Sequence, residues 1–152
     1  YISGHKYDTT AEKVAGNLAE LKRTGSWTVR DCFRLGYNLH FLEDYFTYPH
    51  NSHFEGGFFA HCLYEHRLSR ALQRYLRENP RPAATVLPAP DAVRAVLEEH
   101  HSAYMRSDPS PENDAAYIVS CAELVGEELF AAFSRQAASA RALAFMQRVG
   151  IA

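Results

Sequence analysis

The stretch VRDCFRLGYNLHFLED, residues 29–44, decides the fold. Val29, Phe33, Gly36, His40 and Asp44 recur at intervals of three and four, which is the period of one helix face. Thr28 and Asp31 stand where a capping box would start such a helix, and the pattern runs to about Tyr45. The same period extends outward in both directions. Upstream, Thr9 and Glu12 form a capping-box pattern, and Ala11, Val14, Leu18 and Leu21 follow at helical spacing until Gly25. Downstream, Pro49, Asn51-Ser52 and Gly56-Gly57 mark a loop. A third helix is expected from about Phe58 to Arg77, with His61, Glu65, Leu68, Leu72 and Leu76 on one side, and Asn79-Pro80 ends it.

Four prolines in residues 79–90 (Pro80, Pro82, Pro88, Pro90) exclude a helix there and predict an extended connection. A fourth helix follows Asp91 with Val93, Val96, Leu97 and Tyr104 inward. The turn from Ser107 to Pro111 separates it from a long last helix, whose inward stripe is Ile118, Cys121, Val125, Leu129 and Ala132. There is no internal repeat and no alternation of the kind a strand needs. The expected fold is all-α, a single-domain bundle of about five helices over residues 1–152.

Composition narrows the function. The chain has 152 residues and 47% hydrophobic content, enough for one sizeable core. A net charge of −2 supplies no field to hold a polyanion, so no stable nucleic-acid complex is expected. No apolar run reaches the ~20 residues that span a bilayer. Cys32, Cys62 and Cys121 are too few and too far apart for a disulfide framework or a metal pair, and are expected to pack as small hydrophobes. The chain starts at Tyr1 with no signal-peptide pattern.

The eight histidines are the unusual feature, five of them lying between His40 and His66. His40 with Asp44, and His61 with Glu65, are each spaced i, i+4, so each pair shares one helix face with Cβ atoms roughly 6 Å apart. His50 and His53 lie between the two helices, and His5 precedes the first. Imidazole and carboxylate donors suit zinc in open, catalytic sites. One histidine on an apolar helix face is ordinarily a hydrogen-bonded core residue. Two His/carboxylate pairs on adjacent helices shift the reading toward metal, because carboxylates on inner stripes are costly without a cation. His53 is ambiguous between a spare ligand and a residue supporting His50. His66 is expected at the surface, and His100-His101, beside Glu98 and Glu99, on a solvated face. No nucleophile elbow, P-loop or dinucleotide fingerprint is present.

The run Leu35-Gly36-Tyr37-Asn38-Leu39-His40-Phe41-Leu42-Glu43-Asp44, followed by Pro49-His50 and then by His61-Cys62-Leu63-Tyr64-Glu65, resembles the signature of the zinc-dependent phospholipase C family. A weaker likeness reaches back to Gly4-His5-Lys6-Tyr7-Asp8. The resemblance implies an all-helical fold and bound zinc. One ion would be held by His5, His40 and Asp44, and a second by His50, His61 and Glu65, with Asp44 bridging. Asp44 and Glu65 would serve catalysis chiefly as ligands, with attack by metal-bound hydroxide on the phosphodiester. The family's other ligands, an amino-terminal residue, a nearby histidine and an upstream aspartate, have no match here. The chain is therefore expected to lack an amino-terminal segment, and two zinc ions are expected rather than three.

The implied substrate is a phospholipid or another phosphodiester, with release of a phosphorylated head group and peripheral membrane contact. Single-strand nucleases of the fungal type resemble the same bundle, but their third element is typically H-x3-D where this chain has His61 and Glu65. A metal-stabilised binding module without catalysis is the non-enzyme alternative. Family resemblance points to secretion, while the lack of a signal-peptide pattern and the odd cysteine count leave the cytoplasm open.

Overall fold

The computed structural model describes residues 5–24, 27–80 and 92–148. The expectations placed on Tyr1, Gly4, Gly25, Asp91 and the proline-rich connection after Pro80 lie outside the described residues. Among those described, the chain forms five helices and no strand: α1 (Tyr7–Arg23), α2 (Val29–Tyr45), α3 (Phe58–Glu78), α4 (Ala92–Tyr104) and α5 (Pro111–Arg148). One 3₁₀ turn, Tyr48–His50, follows α2. The long α5 packs against each of the other four helices, and α1 also lies against α2 and α4. Helices α2 and α3 make little direct contact, which leaves a cleft between them. No described helix is long and apolar enough to cross a membrane.

The local signals at α2 act as expected. The Thr28 side chain accepts from the Asp31 N–H at 3.3 Å, and the Thr28 N–H donates to Asp31 Oδ2 at 3.0 Å, so the capping box is closed in both directions. A cap of this kind contributes about 1 kcal/mol. The Thr9–Glu12 box does not form. Helix α1 begins two residues earlier, at Tyr7, with Lys6 as N-cap and no side-chain cap bond. The Thr9 and Thr10 hydroxyls donate back to the Lys6 carbonyl instead, at 3.0 and 2.9 Å.

The expected inner stripe of α2 is corrected. Val29 and Phe33 are 74% and 77% exposed, and Gly36 and His40 are exposed too. The buried face is Asn38, Phe41, Leu42 and Tyr45, with Leu35 half-buried, and Asp44 is buried at its edge. Val29, Phe33 and Gly36 repeat at helical period, as do Leu35, Phe41, Leu42 and Tyr45, so periodicity alone does not choose between the two faces. The face with more aromatic and aliphatic bulk turns to α1, where Asn17 Nδ2 donates to Asn38 Oδ1 at 3.1 Å; Asn38 Nδ2 donates to the Arg34 carbonyl at 2.6 Å, so this buried amide is satisfied at both ends.

The other stripes hold with local changes. In α3, His61, Leu68 and Ala71 are buried and Leu72 is half-buried, but Glu65 and Leu76, expected on the same inner side, are exposed, Glu65 because it faces the open cleft rather than the core. Val93, Val96, Leu97 and Tyr104 of α4 are buried, as are Ile118, Cys121, Val125, Leu129 and Ala132 of α5. Only Cys121 packs as a small hydrophobe; Cys32 and Cys62 are exposed.

The solvated face expected for His101 is also corrected. His101 is buried, its ring stacked on Tyr7 at 3.7 Å between centroids. Its Nε2–H donates to Asn51 Oδ1 at 3.2 Å. Burial pushes the imidazole down to about 4 from its ordinary 6.5. The unfolded chain therefore takes up a proton below pH 6.5 that native His101 refuses. Stability from this residue is intact above 6.5 and falls as pH drops toward 4, by as much as about 3 kcal/mol. The expected result is that the stability gap between wild type and His101→Gln narrows across this window in urea titrations. A gap independent of pH would mean that His101 is not held neutral.

Candidate metal centre

Each donor in the cleft is set by a local element. The last turns of α2 carry His40 and Asp44, and the first turns of α3 carry His61 and Glu65. The 3₁₀ turn presents His50, and His5 stands two residues ahead of α1. These six residues and Phe58 line one cleft of about 330 Å³.

Asp44 lies at its centre. Its Oδ2 accepts from His5 Nδ1 at 2.7 Å and lies 3.5 Å from His40 Nε2, and its Oδ1 is 3.7 Å from His50 Nδ1. Across the cleft, Glu65 Oε1 accepts from His61 Nε2 at 2.9 Å and from His50 Nε2 at 3.3 Å. Burial acts to raise the Glu65 carboxyl, but the hydrogen bonds from His50 and His61 outweigh it and hold the group below the usual range.

Two sets of donor atoms lie within 4.8 Å of one another: His5, Asp44 and His50, and His50, His61 and Glu65. His50 is common to both. This differs from the expected grouping, since His50 rather than His40 stands beside Asp44 in the first set. His40 is half-exposed at the rim, its ring 5.3 Å from that of His5. His53 is outside the cleft, exposed and against Tyr48, and His66 is exposed on α3.

The donors fit a metal by their own chemistry. His50 Nδ1 and His61 Nδ1 are buried and have no hydrogen-bond partner. Such orphaned polar atoms cost ~1–3 kcal/mol each, so the protein alone does not satisfy the cleft. The set is wholly nitrogen and oxygen, as zinc in open sites prefers.

Sequence reasoning missed a buried polar group behind the cleft. Asp114 of α5 is fully buried and accepts from the Tyr48 N–H and from the Tyr64 and Tyr104 hydroxyls. Burial raises its carboxyl above the usual range despite these three donors. Its signal was available: Asp114 precedes Ile118 and Cys121 by four and seven residues, on the inner stripe. Phe58 stands exposed at the cleft wall. Among the aromatics between Tyr37 and Tyr64, Phe41, Tyr45 and Phe46 are core, Tyr48, Phe54 and Tyr64 half-buried, and Phe59 and Tyr37 exposed like Phe58.

The family model described as zinc dependent phospholipase C matches residues 1–130 of the chain. No curated protein and no solved structure matches it.

Proposed function

The chain belongs to the zinc-dependent phospholipase C family, and on that premise we propose that it hydrolyses a phosphodiester, releasing the phosphorylated head group of a phospholipid. The observation that carries the reading is the convergence of four histidines and two carboxylates on one cleft, with His50 shared by two donor sets. In this reading His5, His40, Asp44, His50, His61 and Glu65 would hold two zinc ions. Zinc bound there supplies Lewis acidity to phosphoryl oxygens and lowers the pKa of coordinated water.

The chain's own residues do the rest. Asp44 and Glu65 carry the negative charge that offsets the cations, and the hydrogen-bonded Glu65 stays ionised well below neutrality. Phe58 supplies an apolar wall against which a glycerol or acyl leaving group can lie. Phe58 and Phe59, 74% and 88% exposed at the start of α3, support peripheral contact with lipid.

Lipid is favoured over nucleic acid on two grounds. The third donor element is His61 with Glu65, the phospholipase form, and a net charge of −2 gives no grip on a polyanion. The exposed aromatics support the nuclease alternative only to the extent that they can stack bases. The test is phosphocholine release from short-chain phosphatidylcholine in added zinc, run beside single-stranded DNA and with and without chelator. Chelator-sensitive release from lipid is expected. Chelator-sensitive cleavage of DNA alone would move the chain to the nuclease reading, and inertness on both would leave a metal-stabilised binding module.

A further inference from the structure

We propose that Asp114 is a positioning residue for the metal centre, fixing the backbone segments that carry His50, His61 and Glu65. The inference rests on the reading of the cleft as a metal site. Asp114 Oδ2 accepts from the Tyr48 N–H at 2.8 Å and from the Tyr64 hydroxyl at 2.8 Å, and its Oδ1 accepts from the Tyr104 hydroxyl at 2.9 Å. None of these donors belongs to α5. Tyr48 opens the 3₁₀ turn two residues before His50, and Tyr64 lies on α3 between His61 and Glu65. A single carboxylate oxygen thus joins the turn to the helix, and with them both sides of the second donor set.

The far side of His50 has its own anchor. Asn51 Nδ2 donates to the Tyr45 and Thr47 carbonyls at 3.1 and 3.0 Å. His50 is therefore bracketed, by the Asp114 contact two residues before it and by Asn51 one residue after. Its ring packs against that of His61 at 5.0 Å between centroids, but its only side-chain hydrogen bond is from Nε2 to Glu65 at 3.3 Å, and Nδ1 is unpartnered. Cohesion alone does not call for a carboxylate at a fully buried stripe position, where an apolar side chain avoids the desolvation cost. A satisfied buried network, by contrast, fixes one geometry, and residues that orient metal ligands typically change metal affinity ~10–100-fold.

The test is titration of the full chain with cobalt(II), read by the visible absorption of the bound ion, with thermal unfolding of the metal-free protein alongside. Asp114→Ala is expected to weaken cobalt binding about tenfold or more and to alter the absorption band. Asp114→Asn should restore affinity to within about threefold, because its amide oxygen can still accept from Tyr48 and Tyr64. Tyr64→Phe should weaken binding by at least about threefold. Tyr104→Phe, which removes only the contact to α4, should lower the melting temperature and leave cobalt affinity unchanged. If Asp114→Ala does not fold, the two tyrosine variants decide: equal cobalt affinity in both overturns the proposal, and selective loss in Tyr64→Phe supports it. A folded Asp114→Ala that binds cobalt like wild type overturns it as well. Absence of cobalt binding by wild type is a separate outcome, which overturns the metal reading itself.

Discussion

Asp44→Asn is expected to lower the rate of phosphocholine release by about 100-fold or more, at zinc concentrations that saturate wild type. The substitution keeps the shape of the side chain and one acceptor oxygen but removes its charge. That charge is central: His5 lies 2.7 Å from one Asp44 oxygen, His40 3.5 Å from the same oxygen, and His50 3.7 Å from the other. Among the described residues two carboxylates line the cleft, so the substitution removes half of the anionic charge they offer to offset bound cations. The variant should fold, because Asp44 sits at the edge of the buried face of α2 and the core around Phe41, Leu42 and Tyr45 does not depend on it. Zinc content should fall together with the rate. A variant that keeps more than a tenth of wild-type activity would show that Asp44 is not a ligand the reaction needs, and equal inertness of both proteins would remove the enzyme reading.

The second large effect is on stability. Chelation of zinc should lower the melting temperature by on the order of 10 °C. An ion present at ~1,000 times its dissociation constant stabilises the folded state by about 4 kcal/mol, and in a chain of this size each kcal/mol moves the midpoint ~2–4 °C. The two helices that meet at the cleft touch little elsewhere, so the donors are their principal link on that side. His61→Ala should lower the midpoint in zinc and abolish most of the response to chelator. His61 is buried, its Nε2 pairs with Glu65, and its Nδ1 has no partner. A melting curve indifferent to chelator would mean that these histidines are ordinary core residues.

Much of the fold was legible in the sequence because helices are local objects. The Thr28–Asp31 box, the α3 start at Phe58 and the inward stripes of α4 and α5 depend on residues within a turn or two of one another. The same locality puts His40 with Asp44, and His61 with Glu65, on shared faces. Where two local solutions compete, the sequence does not arbitrate. At α1 the Thr9 and Thr10 hydroxyls bond back to Lys6 rather than cap, and on α2 two stripes share the helical period and packing against α1 and α5 selects one.

What tertiary structure alone decided is whatever depends on partners distant in the chain. His101 is buried, and held neutral by that burial, because Tyr7 stacks on it and Asn51, fifty residues away, accepts a hydrogen bond from its Nε2–H. Asp114 gathers the backbone of Tyr48, 66 residues away, and the hydroxyl of Tyr64, 50 residues away. His50 belongs to both donor sets because α2 and α3 are held apart by their separate packing on α5. Spacing along a helix specifies which side chains share a face. Which faces meet is settled by the burial of apolar area summed over the whole bundle, and no single stretch of sequence carries that sum.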